Sequence, residues 1–306
     1  MTPSFTDKKG IAHEAPEPLA PLADTHGHLT HFRHAEAADT LVRAAQAGVR
    51  LLVVPVDPVD EVGPGLRYES PDAFLSWLDD AIEAAAAQVG DAMPELRIVA
   101  GVHPYGAEQV DDAALQRLDA LLASPLAIGI GEFGFDYGPW SKVPADAQEQ
   151  AFRTHLSLAH ERGLPVELHL RDPEKGEPIG HIQAERVLRE MGVPEAGCDL
   201  HCFTSGPEVM APFVEMGCHI AFGGAATFAS SDAIRAAAVE CPANLILSET
   251  DSPYMAPVPL RGRECEPGMV AFTADLLARI REDAGVASRQ QTYDDLWSNA
   301  RAFCGM

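Results

Sequence analysis

The 306-residue sequence contains no apolar run long enough to cross a membrane, which would take about 18 uncharged residues. The apolar run from Leu51 to Val56, for example, is bounded by Arg50 and Asp57. The N-terminus carries scattered charges and prolines in place of the apolar stretch of a signal peptide. We therefore expect a cytoplasmic protein without a membrane partner.

Positive charge is also scarce. The chain has 22 Lys and Arg residues against 46 Asp and Glu residues, which gives a formal net charge of −24. Proteins bind polyphosphates largely through Lys and Arg that displace counterions, so this composition excludes a broad basic surface for DNA. An anionic substrate would have to be held by local cations or by metal ions.

Paired cysteines are absent as well. The six cysteines show neither a Cys-x-x-Cys motif nor the paired spacing of a disulfide framework or a zinc ribbon. We therefore expect free thiols, most of them buried. The cysteines lie at positions 198, 202, 218, 241, 265 and 304.

The chain does contain a regular alternation of strand-like and helix-like segments. Eight apolar, β-branched runs are separated by stretches rich in Ala, Leu and charged residues with helical spacing. This pattern predicts a single (β/α)8 TIM barrel over residues 21–306, preceded by a flexible N-terminal arm over residues 1–20. The predicted strands span 22–29, 48–57, 96–104, 125–135, 164–171, 198–203, 219–225 and 244–251. The predicted helices include 34–47, 107–123, 144–163, 181–191, 206–217, 269–281 and 293–303.

Two segments rich in glycine or proline, 57–70 and 252–268, interrupt this alternation. Both follow predicted strands, so in a barrel they would stand over the C-terminal face of the strands, where loops usually form the active site. We therefore expect both segments to contribute to a site at that face.

Polar side chains collect at the C-terminal ends of the predicted strands. Considered alone, each has an ordinary structural explanation, such as a solvated loop histidine, a hydrogen-bonded core histidine or a carboxylate paired with an arginine. His26 and His28 would nevertheless face the same side of a strand, where two imidazoles can chelate a metal ion. Together the groups would crowd one mouth of the barrel, and divalent ions would offset that cost. The set is His26, His28, His103, Glu132, His169, His201, Glu249 and Asp251.

The order and spacing of these residues resemble the successive signatures of the TatD-type metal-dependent hydrolases, a family of the amidohydrolase superfamily. The likeness runs from about residue 22 to the C-terminus, and six motifs in the same order make it specific. The motifs are Asp24-Thr25-His26-x-His28, Gly101-Val102-His103-Pro104, Gly131-Glu132-x-Gly134-x-Asp136-Tyr137, His169-x-Arg171-Asp172, His201-Cys202-Phe203-Thr204 and Glu249-Thr250-Asp251-x-Pro253-Tyr254.

The resemblance implies two divalent metal ions at the C-terminal face of the strands. Carried over position by position, His26, His28 and Asp251 would hold one ion. His169 and His201 would hold the second, and Glu132 would bridge the two. The histidines favour zinc, whereas the carboxylates and a phosphoryl substrate allow magnesium or manganese.

Catalytic roles can be assigned on the same basis. The two ions would activate a shared water for attack on phosphorus, with Asp251 placed to accept its proton. Glu249, beside Asp251, is expected in the site as well. His103 is predicted to face the substrate rather than a metal ion.

Three arginines are candidates for binding a substrate phosphate. Arg171 could clamp a phosphate or form an ion pair with Asp172 and Glu167, and the ion pair is the preferred interpretation. Arg261 and Arg263, on the loop after the eighth strand, are either phosphate ligands or solvated loop charges.

The resemblance implies nuclease activity, so the leading hypothesis is a phosphodiesterase, a 3′-to-5′ exodeoxyribonuclease acting on nucleic-acid ends or on a small phosphodiester. The same ions could instead polarise the carbonyl of a carboxylic ester, lactone or amide, and a catalytically inactive binding protein is a third alternative. The segments 57–95 and 173–197 are longer than is common in the family. With the net charge of −24, they argue against long duplex DNA as substrate. The oligomeric state is left open.

Overall fold

A computed structural model describes residues 3–306. Within this range, eight parallel strands form one sheet in which each strand pairs with its neighbours in the sequence. The predicted (β/α)8 barrel is confirmed, and no observed barrel strand extends more than one residue outside its predicted range. Several barrel strands are shorter than predicted, and the first of them ends at Asp24, so His26 and His28 follow the strand and do not lie in it. In chain order the strands are β1 (Ser4–Thr6) and β2 (Ala12–Glu14), which form a separate hairpin, and then β3 (Leu22–Asp24), β4 (Val49–Val56), β5 (Glu95–Ala100), β6 (Ala127–Asp136), β7 (Val166–Arg171), β8 (Cys198–His201), β9 (His219–Phe222) and β10 (Ile246–Ser248).

The barrel strands are apolar because neighbouring strands, helices and the barrel interior cover them on both faces. Seven of the eight residues of β4, with the sequence Val-Arg-Leu-Leu-Val-Val-Pro-Val, are buried. A parallel strand covered on both faces is expected to read as such a continuous apolar run. A polar residue within such a strand therefore needs a hydrogen-bond partner or a function that explains its burial.

Helices surround the strands and end at recognisable signals. The Ser70 hydroxyl accepts a hydrogen bond from the Ala73 amide at 3.2 Å and caps the second helix. Gly163, with a φ of 63°, ends the fourth helix in the left-handed conformation that glycine tolerates. The helices are α1 (Ala37–Gln46), α2 (Pro71–Val89), α3 (Asp112–Leu122), α4 (Ala145–Arg162), α5 (Ile179–Met191), α6 (Pro207–Glu215), α7 (Asp232–Glu240), α8 (Val270–Asp283) and α9 (Arg289–Phe303).

The barrel closes between its first and last strands, β3 and β10. The Thr250 hydroxyl donates to Asp24 Oδ2 at 2.6 Å, across 226 positions of sequence. The Asp251 amide donates to the carbonyl of His26 at 2.9 Å. Buried hydrogen bonds just beyond the strand ends therefore join the two sides of this seam.

The segment predicted as a flexible N-terminal arm contains the β1–β2 hairpin, which the sequence pattern does not predict. Ser4 pairs with Glu14 and Thr6 with Ala12 in an antiparallel register. Phe5 is buried in the main apolar core, with its ring centroid 6.1 Å from that of Phe272 in α8. The hairpin thereby fastens the start of the chain to the barrel.

Two further expectations concern cysteine and membrane contact. All six cysteines lie in the described part of the chain and are free, and five of them are buried, as predicted. Among residues 3–306, no helix combines the length and the apolar character needed to span a bilayer.

Candidate metal centre

The barrel registers bring the polar strand ends together. His169 in β7 pairs with His201 in β8, so parallel strands place both imidazoles at the same level and on the same face. His26 follows β3, and its carbonyl accepts from the amide of Asp251. Asp251 itself has a left-handed φ of 53°, which is uncommon for a residue other than glycine and is found often at functional sites.

The first group of donor atoms comes from His26, His28 and Asp251. The Nε2 atoms of the two histidines lie 3.2 Å apart. Asp251 Oδ1 lies 3.9 Å from His26 Nε2 and 3.8 Å from His28 Nε2. These three atoms form a compact triangle with the ligand types that divalent ions use.

The second group comes from His169 and His201. Glu132 Oε2 lies 2.9 Å from His169 Nδ1 and 3.0 Å from His201 Nε2. The other oxygen of the same carboxylate, Oε1, lies 3.4 Å from His28 Nε2 and 3.9 Å from His26 Nε2. Each oxygen of Glu132 thus faces one group, which is the arrangement that a carboxylate bridging two cations requires.

The donor set fits divalent cations. Imidazole nitrogens and carboxylate oxygens are the ligands of zinc and of the harder divalent metals. His26 Nε2 and His28 Nε2 point at each other inside the barrel mouth, where the two lone pairs repel unless a proton or a cation lies between them. The side chains of both groups are buried or partly buried, so their polar atoms lie close together with little water to solvate them. A bound cation would stabilise these atoms by accepting their lone pairs.

The pKa values of the cluster show the cost of burying it without cations. Burial lowers the pKa of His26 and of His201 to about 3 and raises the pKa of Asp251 to about 7. Burial also opposes protonation of His28, but its hydrogen bond with Glu132 raises the pKa of His28 to about 9. Cation binding would displace protons from such groups, because ligands bind in their deprotonated forms.

A second layer of carboxylates lies behind the donor atoms. Glu167 Oε1, fully buried, is 2.8 Å from His26 Nδ1. Asp136 Oδ2 is 3.1 Å from His169 Nε2. Each can accept a hydrogen bond from the ring nitrogen opposite the one in the cluster, which fixes the tautomer and orientation of a metal-binding histidine. Sequence reasoning missed both roles, although a glutamate within the apolar β7 run was a visible signal.

Glu249 belongs to this second layer rather than to the wall of the cavity. Its Oε1 accepts a hydrogen bond from the Cys202 amide at 2.5 Å and lies 3.9 Å from His201 Nδ1. Burial among other acids raises the pKa of Glu249 well above its usual range. Glu249 therefore packs against the ligand-bearing strands without reaching the open side of the site.

A cavity of about 700 Å³ opens over the two groups. The loop after β4 contributes Asp57, Asp60 and Glu61 to its wall, and the loop after β10 contributes Tyr254 and Met255. Both segments that interrupt the βα alternation thus line the site, as predicted. Three exposed aromatic side chains at this cavity, Tyr105, Trp140 and Tyr254, were missed by sequence reasoning.

His103 and Arg171 both line this cavity. The ring centroid of His103 lies 4.3 Å from that of His169, and burial lowers the pKa of His103 to about 3. Arg171 lies 4.8 Å from the ring centroid of Trp140. The preferred ion pair of Arg171 with Asp172 and Glu167 is wrong, because those carboxylates are engaged elsewhere.

Asp172 pairs with the imidazole of His181 in α5 at 2.7 Å, and Glu167 pairs with His26. The other two candidates, Arg261 and Arg263, are not among the described residues that line the cavity. Arg261 packs against the ring of Phe228 with its guanidinium carbon 4.2 Å from the centroid, and Arg263 is exposed.

Eight βα units with two facing groups of candidate metal ligands at the C-terminal strand ends are typical of metal-dependent barrel hydrolases. The chain belongs to the TatD related DNase family, whose model matches residues 23–305. It is therefore a metal-dependent hydrolase of the TatD family, as the motifs indicated.

Three known proteins illustrate the likeness. The chain is 36% identical over 197 residues to the uncharacterized metal-dependent hydrolase YcfH of Escherichia coli K12, covering 64% of this chain and 70% of the relative. It is 31% identical over 205 residues to the 3′-5′ ssDNA/RNA exonuclease TatD of Edwardsiella piscicida, covering 65% and 76%. The crystal structure of YJJV, a TatD homologue from Escherichia coli K12, superposes with a TM-score of 0.71 at 23% identity, covering 94% of this chain and 99% of that one.

Proposed function

We propose that this hydrolase cleaves phosphodiester bonds at the 3′ ends of single-stranded nucleic acid and uses two divalent ions to do so. The observation that carries the proposal is the position of Glu132, whose two oxygens each face one group of imidazoles. The relative from Edwardsiella piscicida, named as a 3′-5′ ssDNA/RNA exonuclease, supports the substrate and the direction.

In this proposal His26, His28 and Asp251 would hold one ion, His169 and His201 would hold the other, and Glu132 would offer one oxygen to each. Ions bound there would supply an activated water and would neutralise charge on the phosphate oxygens. Zinc suits the four imidazoles, and manganese or magnesium suits the carboxylates.

The protein's own groups bind and orient the substrate. Arg171, on the cavity wall, supplies a permanent positive charge for the phosphate. His103 stays neutral at physiological pH because burial lowers its pKa to about 3, so it offers a hydrogen bond rather than a charge. Asp251 Oδ1, which lies 3.9 Å from His26 Nε2 and 3.8 Å from His28 Nε2, would take the proton of the attacking water.

The charge of the chain favours a single strand over a duplex. The formal net charge is −24, and carboxylates such as Asp57 and Asp60 stand on the cavity wall. A duplex would bring two phosphate backbones against these acids, whereas a single-stranded end brings one phosphate at a time past Arg171.

The test is hydrolysis of a 5′-labelled single-stranded oligonucleotide by protein loaded with zinc, manganese or magnesium. We expect stepwise shortening from the 3′ end with release of mononucleotides. Glu132→Ala should lose nearly all activity, because the carboxylate between the two groups is removed. Glu161→Ala, at an exposed position on α4, is the matched control and should keep wild-type activity.

A parallel panel of carboxylic esters, lactones and amides separates the alternatives. Metal-dependent cleavage of a carboxylic substrate with no cleavage of any oligonucleotide would overturn the proposal in favour of a deacylase-like hydrolase. Elemental analysis of the purified protein would address the third alternative, since an inactive binding protein need not retain metal.

A further inference from the structure

We infer that Tyr105, Trp140 and Tyr254 form a nucleobase-stacking subsite on both flanks of the metal centre, so that the enzyme holds its substrate through the bases as well as through the phosphate. The inference rests on the proposed function and names the part of the substrate that these rings would bind.

Large aromatic side chains are costly to expose, and here they stand at the cavity. Trp140 is 68% exposed, Tyr254 is 52% exposed and Tyr105 is 45% exposed. All three line the cavity over the metal centre. Singly exposed apolar residues need no explanation, but three aromatic rings around one functional cavity mark a binding surface.

Two of the rings stand beside the second group of metal ligands. The ring centroid of Tyr105 lies 4.5 Å from that of His103, which in turn lies 4.3 Å from that of His169. The indole of Trp140 lies against Arg171, whose guanidinium carbon is 4.8 Å from the ring centroid. A phosphate held by Arg171 therefore places the attached nucleoside within reach of Trp140.

The third ring stands beside the first group of metal ligands. The ring centroid of Tyr254 lies 6.2 Å from that of His28 and 6.4 Å from that of His31. A phosphodiester positioned over Glu132, between the two groups, would then extend one nucleoside toward Trp140 and the other toward Tyr254. This placement gives each side of the scissile bond an aromatic ring.

The charges of the cavity favour bases over further phosphates. Among the described residues that line it, Arg171 is the one with a permanent positive charge. Asp60 is exposed on this wall, where it would repel additional phosphates but can accept hydrogen bonds from the amino groups of bases. The carboxylates of Asp57 and Glu61, on the same wall, already accept hydrogen bonds from backbone amides. Affinity for an anionic strand must then come from uncharged parts of the ligand, and stacked bases supply it without sequence preference.

Stacking on one aromatic ring corresponds to about 5-fold to 150-fold in affinity per base. The test compares wild type, Trp140→Ala and Trp140→Phe on two substrates, a single-stranded dinucleotide and its analogue in which both bases are removed. Ile182→Ala, an exposed apolar residue of α5 that does not line the cavity, is the matched control.

We expect Trp140→Ala to raise KM for the dinucleotide at least 5-fold with little change in kcat, and to leave KM for the abasic analogue unchanged. Trp140→Phe should restore most of the loss, because a smaller ring still stacks. An equal rise in KM for both substrates would instead mean that Trp140 acts only by holding Arg171, and it would overturn the inference, as would no change for either substrate.

Calorimetric titration of the metal-free protein with adenosine separates failure of the inference from failure of the proposed function. Adenosine carries a base but no phosphate, so its binding does not depend on hydrolysis. If wild type cleaves no oligonucleotide but binds adenosine, and Trp140→Ala loses that binding, the stacking subsite stands and the proposed nuclease activity fails. If wild type cleaves oligonucleotides but neither adenosine binding nor the dinucleotide KM depends on Trp140, the subsite is refuted and the nuclease proposal stands.

Discussion

Replacing Glu167 should weaken metal binding more than it weakens the fold. Glu167 Oε1 lies 2.8 Å from His26 Nδ1, and both side chains are fully buried. When His26 Nε2 binds a cation, the ring proton must sit on Nδ1 and needs an acceptor there. Without a cation the proton can move to Nε2, so the need for Glu167 is concentrated in the metal-bound state.

The magnitude follows from leaving a buried N–H without an acceptor. Glu167→Leu removes the acceptor, and such a loss costs about 1–3 kcal/mol. Applied to the metal-bound state alone, this corresponds to about 5-fold to 150-fold weaker binding, in line with the 10–100-fold that outer partners of metal ligands typically contribute. Glu167→Gln keeps a carbonyl oxygen at the same position, so we expect a loss of about 5-fold or less.

The assay is competition for zinc between the metal-free protein and a chromophoric chelator. Asp199→Asn is the matched control, because Asp199 pairs in register with Glu167, is fully buried, and its carboxylate makes no hydrogen bond to any residue between 3 and 306. Zinc affinity of Glu167→Leu equal to that of wild type would refute the reasoning. Equal losses in Glu167→Gln and Glu167→Leu would refute it too, since the charge rather than the acceptor would then matter.

Three further predictions concern separate parts of the molecule. Arg171→Met should raise KM for a dinucleotide about 10-fold or more without lowering the melting temperature, because a charged hydrogen bond to phosphate contributes about 1.5–3 kcal/mol; an unchanged KM would remove Arg171 from phosphate binding. Burial lowers the pKa of His155 to about 4, and the unfolded chain titrates near 6.5, so unfolding takes up a proton between these values and stability falls as pH drops from 6.5 to 4. The decline in the free energy of unfolding, measured with urea, should be smaller in His155→Gln by up to about 3 kcal/mol, and parallel curves would contradict this. Phe5→Ala should lower the free energy of unfolding by about 3 kcal/mol because Phe5 packs into the main core, and a loss below about 0.5 kcal/mol would show that the β1–β2 hairpin unfolds independently.

The barrel and its donor cluster could be predicted because both follow from rules that act along the chain. Continuous apolar runs such as β4 are typical of parallel strands, and parallel strands end at one face of a barrel. Residues far apart in sequence, such as His26 and His169, must then meet at that face. The two oxygens of Glu132 face the nitrogens of different histidines, which agrees with the predicted bridging role of this carboxylate. Metal binding by these residues stays a prediction.

The parts that sequence reasoning missed depend on partners chosen by tertiary packing. Arg171 and Asp172 are adjacent in sequence, but successive residues of an extended chain point to opposite sides, and Asp172 instead meets His181 of α5. The partner of Glu167 lies 141 positions earlier in the chain. The exposure of Trp140 depends on how its loop leaves β6, for which the sequence carries no periodic signal.

The hairpin was missed for a different reason. Its strands, β1 and β2, have three residues each, too few to establish an alternating pattern. Their stability comes from packing Phe5 against the barrel, which only the folded chain provides.

The seam between β3 and β10 has a consequence for folding. His26 and His28 lie on one side of it and Asp251 on the other, so a cation shared by these residues would cross-link parts of the chain that are more than 220 positions apart. Forming contacts between residues so distant in sequence costs much conformational entropy, because the long intervening segment must be closed into a loop. Zinc at 100 times its dissociation constant would add about 2.7 kcal/mol to the stability of the closed barrel. Ions bound for catalysis would then also stabilise the closure of the barrel between β3 and β10, and their removal should speed global unfolding.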